Sequence, residues 1–202
     1  MMGEGELSSL HVDILQEVGN IGAAHAATAL SELLGTPVRI SVSSARRCTF
    51  DEVSEVAGGP DELIVGVFVR VTGDIGGNML LLMSVDSANI LLQTLLGSKI
   101  VSGDYDDMQL SALGEVGNIL GGAYTSAIAT LTSLRMSQSV PAVAVDMAGA
   151  ILDAGILATS EVSDFAVLID TSIMGGASNI DGHFFLLPDP SSTVPLLDAL
   201  GC

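Results

Sequence analysis

The 202-residue chain carries 24 Asp and Glu against 6 Lys and Arg, a formal charge of −18 and a pI near 4.1. So acidic a surface excludes direct nucleic-acid binding, which needs clustered Lys and Arg to neutralise phosphates, and Arg46-Arg47 is the one basic pair. Charged residues are nonetheless only 15% of the chain, hydrophobic ones 49%, and the mean hydropathy is +0.59, which rules out a disordered acidic tail and calls for an aliphatic core in a domain of ordinary size.

In chain order, Met1 to Glu6 lacks the basic and apolar blocks of a secretory signal. An Ala-rich apolar helix then runs through Asp13 to about Leu34. Segments Pro37 to Phe50, Glu62 to Val71 and Asn78 to Val85 are rich in Val, Ile and Leu between Gly, Pro and Asp boundaries, the pattern of strands. Gly58-Gly-Pro-Asp61 is a turn rather than a phosphate loop, because no helix start with Lys, Ser or Thr follows it. Gly73-Asp-Ile-Gly-Gly77 reads as a tight hairpin turn, and Ile90 to Gly97 as a helix. The second long helix, from Ser111 to about Leu134, contains a 19-residue uncharged run, Val116 to Leu134. That length could span a bilayer, but Asn118, Thr125, Thr130 and Thr132 within it, and the lack of basic residues flanking its start, argue against membrane insertion. Beyond Val140 the pattern is mixed: Pro141 to Asp146 reads as strand and Asp146 to Ala154 as helix. Phe165 to Ile173 and His183 to Leu187 read as strands again. Cys48 and Cys202 stand apart without metal-ligand spacing, so a reduced, cytoplasmic protein with no metal of its own is expected. His11, His25 and His183 are scattered; His25 is expected to pack within its helix and His183 to sit on a strand.

A repeat organises these elements. Asp13-Ile-Leu-Gln-Glu17-Val-Gly-Asn20-Ile lies over Ser111-Ala-Leu-Gly-Glu115-Val-Gly-Asn118-Ile at an offset of 98, with five consecutive identities. The tails also correspond, Met79-Leu-Leu-Leu-Met83 over His183-Phe-Phe-Leu-Leu187 at an offset of 104. Residues 8–98 and 106–202 therefore read as two copies of helix, strands and helix, each too small for its own core. The expected fold is α/β, of the α+β kind: a single domain, 1–202, in which helices pack on one shared, mostly antiparallel sheet about a pseudo-twofold axis.

On each repeated helix, positions i, i+4 and i+7 share a face, which aligns Asp13, Glu17 and Asn20, and equally Ser111, Glu115 and Asn118. A solvated face is one reading of such a stripe. Against it, the polar types recur in both copies, Asn is a poor mid-helix residue, and the adjacent Gly19 and Gly117 each cost about 1 kcal/mol relative to Ala. Those glycines are expected to remove bulk beside the stripe, so that another macromolecule can approach Glu and Asn. A Glu and an Asn three residues apart make a poor nucleophile pair, but the carboxylate can hold a cation and the carboxamide can orient a water, as in phosphoryl hydrolysis. The chain has no Gly-x-x-x-x-Gly-Lys loop and no His/Cys cluster, so a phosphate-bearing partner would have to bring the rest of the site.

The doubled Asp/Ser-x3-Glu-x2-Asn pattern, set in Glu-Val-Gly-Asn-Ile-Gly-Ala-Ala-His-Ala-Ala-Thr-Ala-Leu in the first copy, resembles the CheC/CheX/FliY family of chemotaxis response-regulator phosphatases, over essentially the whole chain. The resemblance implies that Glu17 and Glu115 pair with a lysine of the phosphorylated regulator CheY, while Asn20 and Asn118 orient the water that hydrolyses its aspartyl phosphate. Mg²⁺ would come with the regulator. Asp13 and Ser111 would be contact or supporting residues. Two intact motifs fit the CheC branch, whereas the CheX branch keeps one and dimerises, so a monomer is expected; no appended C-terminal domain of the FliY type follows. The resemblance also implies a contact with the receptor deamidase CheD through a helix matched by Ala144-Val-Asp146-Met-Ala-Gly-Ala, with Asp146 as the contact residue. The alternative is a non-catalytic adaptor that binds CheY or CheD. The −18 charge then has two candidate causes, an acidic face suited to a lysine-bearing regulator or adaptation of the host to high internal salt.

Overall fold

The computed structural model describes residues 9–97, 100, 104–157, 166–175 and 178–200. Met1 to Glu6, Cys202 and Phe165, the first residue of an expected strand, lie outside the described residues. The order is α1 (Ser9–Leu34), β1 (Val38–Cys48), α2 (Phe50–Val56), β2 (Leu63–Gly73), β3 (Gly77–Ser84), α3 (Val85–Leu96), α4 (Asp107–Thr132), β4 (Met136–Gln138), β5 (Ala142–Met147), α5 (Ala148–Leu157), β6 (Ala166–Gly175), β7 (Ser178–Pro188) and α6 (Pro190–Ala199).

The strands form one antiparallel sheet in the order β1-β6-β7-β3-β2-β4, with β5 also pairing β2. Each half exchanges an edge: β1 pairs with β6 of the second half, and β4 and β5 pair with β2 of the first. The two halves meet at β3 and β7, where Leu80 faces Phe185 and Leu81 faces Phe184. Shifting residues 80 and 81 by the offset of 104 gives 184 and 185, so a twofold axis placed between these two pairs exchanges them. Both edges also slip by one residue at corresponding places. In β1 the slip falls between Val42 and Ser44. On the opposite edge it becomes the break Ser139-Val140-Pro141 between β4 and β5, because Pro141 has no N–H to continue the ladder.

Strand alternation sends Val65, Val67, Val69, Met79, Leu81, Phe184 and Leu186 to one face, where α1, α3 and α4 build the larger core. Ile64, Leu80, Leu82, Leu168 and Phe185 go to the other face, into a smaller core with residues of α2 and α5. The two 26-residue helices α1 and α4 lie against each other on the larger core. Helix α4 begins with a capping box: Asp106 accepts from the N–H of Gln109 at 2.8 Å, and Gln109 accepts from the N–H of Asp106 at 3.0 Å. No described helix is long and apolar enough to cross a membrane.

Two expectations need correction here. Pro141 to Asp146 and the stretch after it are strand and helix in succession, as the sequence suggests, but the helix implied for Ala144 to Ala150 opens only at Ala148: Asp146 lies on β5, paired with Ile64 of β2. His25 is exposed on α1 rather than packed. Helix α2 went unanticipated although Thr49-Phe-Asp-Glu52 carries a capping box, with Thr49 Oγ1 accepting from the N–H of Glu52 and the Glu52 carboxylate accepting from the N–H of Thr49.

Candidate active site on the paired helices

The apolar period of α1 decides where its polar stripe points. Leu15, Val18, Gly19 and Gly22 follow the i, i+3, i+4, i+7 spacing and are buried, which turns Asp13, Glu17 and Asn20 to solvent. In α4 the same spacing buries Leu113, Val116, Gly117 and Leu120 and leaves Ser111 and Glu115 exposed and Asn118 half-buried. Each Glu and Asn of a pair lies on one helix face, three residues apart, so their spacing is held by helix geometry and needs no loop.

Gly19 and Gly117 do not open the stripe to a partner. Both face the sheet. A Cβ at Gly19 would stand 3.2 Å from Ile169 Cγ2 and 3.3 Å from Val42 Cγ1, and one at Gly117 would run into Val67 Cγ1. The glycines let the backbones of α1 and α4 settle close to the strands. Their cost in helix propensity is offset by that approach rather than by anything outside the protein.

The second copy is a cleft of about 400 Å³ between α4 and the broken β4–β5 edge, lined by Ser111, Gly114, Glu115, Asn118, Gln138 and Val140 among others. Gln138, which the sequence reading did not single out, reaches from β4 to Asn118. Its Nε2 donates to Asn118 Oδ1 at 2.8 Å and to the Asn118 carbonyl at 3.1 Å. Comparison of the two copies would have pointed to it, since the offset of 98 sets Gln138 over Ile40 and Gly121-Gly122 over Ala23-Ala24. Asn20 has no side-chain partner among the described residues.

Asp146 is remote from both pairs. It is exposed, its Oδ1 accepts from the N–H of Met147 at 2.8 Å, and alternation along β5 sends it to the face opposite α1 and α4, since its neighbours Val143 and Val145 pack in the larger core. No group of three or more His, Cys, Asp or Glu converges on a metal-sized site among the described residues. His183, on β7 as expected, pairs through Nδ1 with Asp170 at 2.9 Å, and Asp170 also accepts from Ser44 Oγ at 2.8 Å.

Fold and site together describe a helix-on-sheet protein with a carboxylate–carboxamide pair on the outward side of each of its two long helices. The CheC-like family matches residues 10–42 and 108–145, the stretches that hold both pairs, the start of β1, β4 and most of β5. The CheY-P phosphatase CheC of Bacillus subtilis is 40% identical over 195 residues, covering 94% of this chain and 93% of the relative. The chain belongs to the CheC-like family. Its fold is that of FliY from Thermotoga maritima (TM-score 0.77, 19% identity, 97% of this chain and 98% of that one) and, more distantly, of CheX in the CheX–CheY–BeF3–Mg²⁺ complex from Borrelia burgdorferi (TM-score 0.53, 17% identity, 86% and 96%).

Proposed function

We propose that this chain is a CheY-P phosphatase, hydrolysing the aspartyl phosphate of a phosphorylated response regulator at one or both Glu/Asn pairs. The observation that carries this reading is the 40% identity along nearly the whole chain to a CheY-P phosphatase, with both Glu/Asn pairs present on exposed helix faces. The fold alone would not suffice, because one fold serves many functions.

The chemistry assigned to the chain is small. Glu17 or Glu115 meets a lysine of the regulator and fixes its orientation. Asn20 or Asn118 places a water in line with the phosphorus. The water oxygen bonds to phosphorus as the bond to the aspartyl oxygen breaks, giving inorganic phosphate and the free carboxylate. Positioning of this kind accounts for much of catalysis in phosphoryl transfer. Mg²⁺ is assigned to the regulator, as the donors of this chain are a lone carboxylate and a carboxamide at each pair. A CheD contact at Asp146 would lie on the opposite sheet face, so that binding of CheD there need not displace the regulator.

Release of phosphate from phosphorylated CheY with Mg²⁺, compared for wild type, Asn20→Ala, Asn118→Ala and the double variant, tests the reading. Acceleration by wild type, reduced in a single variant and lost in the double, is expected. No acceleration by wild type, with or without CheD, refutes the phosphatase and leaves a binding adaptor; equal rates for wild type and the double variant refute the site.

A further inference from the structure

We infer that Gln138 is a positioning residue for Asn118, and that the two pairs are unequal because only the second has such a residue. The inference rests on the phosphatase reading above and concerns how one of its sites is organised.

The contact is built by several substitutions that differ between the copies together. Gln138 lies on β4 opposite Val71, facing α4. Room for its carboxamide comes from Gly121, where a Cβ would stand 3.0 Å from Gln138 Oε1; one on Gly122 would make ordinary contact with Nε2 at 3.4 Å. In the first copy the corresponding positions are Ala23 and Ala24, and the strand position is Ile40, which pairs with Ile173 and packs against the larger core. An isoleucine cannot donate to Asn20, and the buried Ala23 puts a methyl group where Gly121 leaves room for the Gln138 amide. Asn20 is therefore exposed without a partner, whereas Asn118 is held at two oxygens.

What the contact does follows from amide geometry. With Nε2 of Gln138 bonded to Oδ1, the carboxamide plane of Asn118 is fixed, its Nδ2 group is the free end, and one Oδ1 lone pair remains. Asn118 is thus restrained before any regulator docks. The partner Gln138 holds is the residue assigned to the water. Restraining a group that must place a water acts on the rate of the chemical step rather than on binding.

The test isolates the second site in Asn20→Ala and adds Gln138→Leu, which keeps the volume and removes the donor. CheY-P hydrolysis by the added variant should show kcat lower by roughly tenfold with KM within about twofold. Side-chain amide signals in NMR report the contact without activity: the Gln138 Nε2 protons should exchange more slowly than those of Asn20, and Asn118→Ala should abolish that protection. Three results overturn the proposal: an unchanged or raised kcat in the added variant, a change confined to KM, or Gln138 protons that exchange freely and ignore Asn118→Ala. If Asn20→Ala and the Asn20→Ala/Asn118→Ala variant both leave CheY-P decay at its spontaneous rate, phosphatase action at the second site fails, and the positioning role falls with it whether or not the amide contact is found.

Discussion

The approach of α4 to the sheet makes a sharp prediction at Gly117. A methyl group there meets Val67 Cγ1 inside contact distance, and Val67 cannot yield easily: it is 1% exposed, β-branched, and sits in β2 between β3 and β5. Overpacking of this kind costs about 1–3 kcal/mol, and so close a contact belongs near the upper end. Replacing a helical glycine by alanine returns about 1 kcal/mol, so the expected net loss for Gly117→Ala is about 2 kcal/mol. The matching change at Gly19 meets Ile169 at 3.2 Å and Val42 at 3.3 Å, contacts that relax by a few tenths of an ångström. Gly19→Ala should therefore be close to neutral. Urea unfolding followed by circular dichroism measures both, and the difference corresponds to about 4–8 °C in Tm for a chain of this length. Removing the Val67 methyls should relieve the clash, so Gly117→Ala/Val67→Ala should be less damaging than the two single changes added together by about 1–2 kcal/mol. If Gly117→Ala is as benign as Gly19→Ala, or the double variant is additive, the glycines are not there to let the helices approach the sheet.

Two further predictions concern titration. Burial pushes the Cys48 thiol up to about 11, so the folded protein should leave Cys48 unmodified by iodoacetamide at neutral pH while the urea-unfolded chain reacts; peptide mapping that finds Cys48 labelled in the native state would contradict its burial. The Arg135 backbone N–H, at 2.8 Å, followed by its guanidinium, holds the Asp74 carboxyl below its ordinary value of 3.8. A depressed folded value means that the stabilisation is present above the unfolded value and is lost as pH falls through the folded one. The urea midpoint of wild type should therefore fall more steeply than that of Asp74→Asn below about pH 4, and parallel curves would refute the contribution.

Much of this was legible because it is written in periodicity. The five-residue identity Glu-Val-Gly-Asn-Ile located both polar stripes, and alternating or aliphatic runs located β1, β2, β3 and β6 to within two residues and the second half of β7. The direction of Gly19 and Gly117 was misread even though the signal was present. Both continue the buried series Leu15-Val18-Gly22 and Leu113-Val116-Leu120, and a glycine on the apolar face of a helix lets that helix approach its neighbour. The exchange of edges, β1 to β6 and β4–β5 to β2, has no local signature, because strand partners are chosen by the packing of the whole sheet. A helix through Asp146 follows from the Met, Ala, Ile and Leu after it, which favour one. Pairing of Leu63 to Phe68 with Met147 to Ala142 holds the segment extended through Met147 instead.

The divergence of the copies begins in the core. The ring of Tyr124 fills the place where Gly22 has no side chain: a Cβ there would lie 2.5 Å from the ring. That ring stacks on Phe184 with centroids 4.2 Å apart, and its hydroxyl is 3.3 Å from Thr171 Oγ1. At the offset of 98, Tyr124 corresponds to Ala26 and Gly22 to Leu120, so bulk on one helix is matched by its absence on the other across the seam. A seam of identical residues would set two tyrosines or two alanines in these places, with a clash or a void. Both helices thus need small residues just after the Asn, but on different faces: Gly22 turns toward α4, while Gly121 and Gly122 turn toward Gln138.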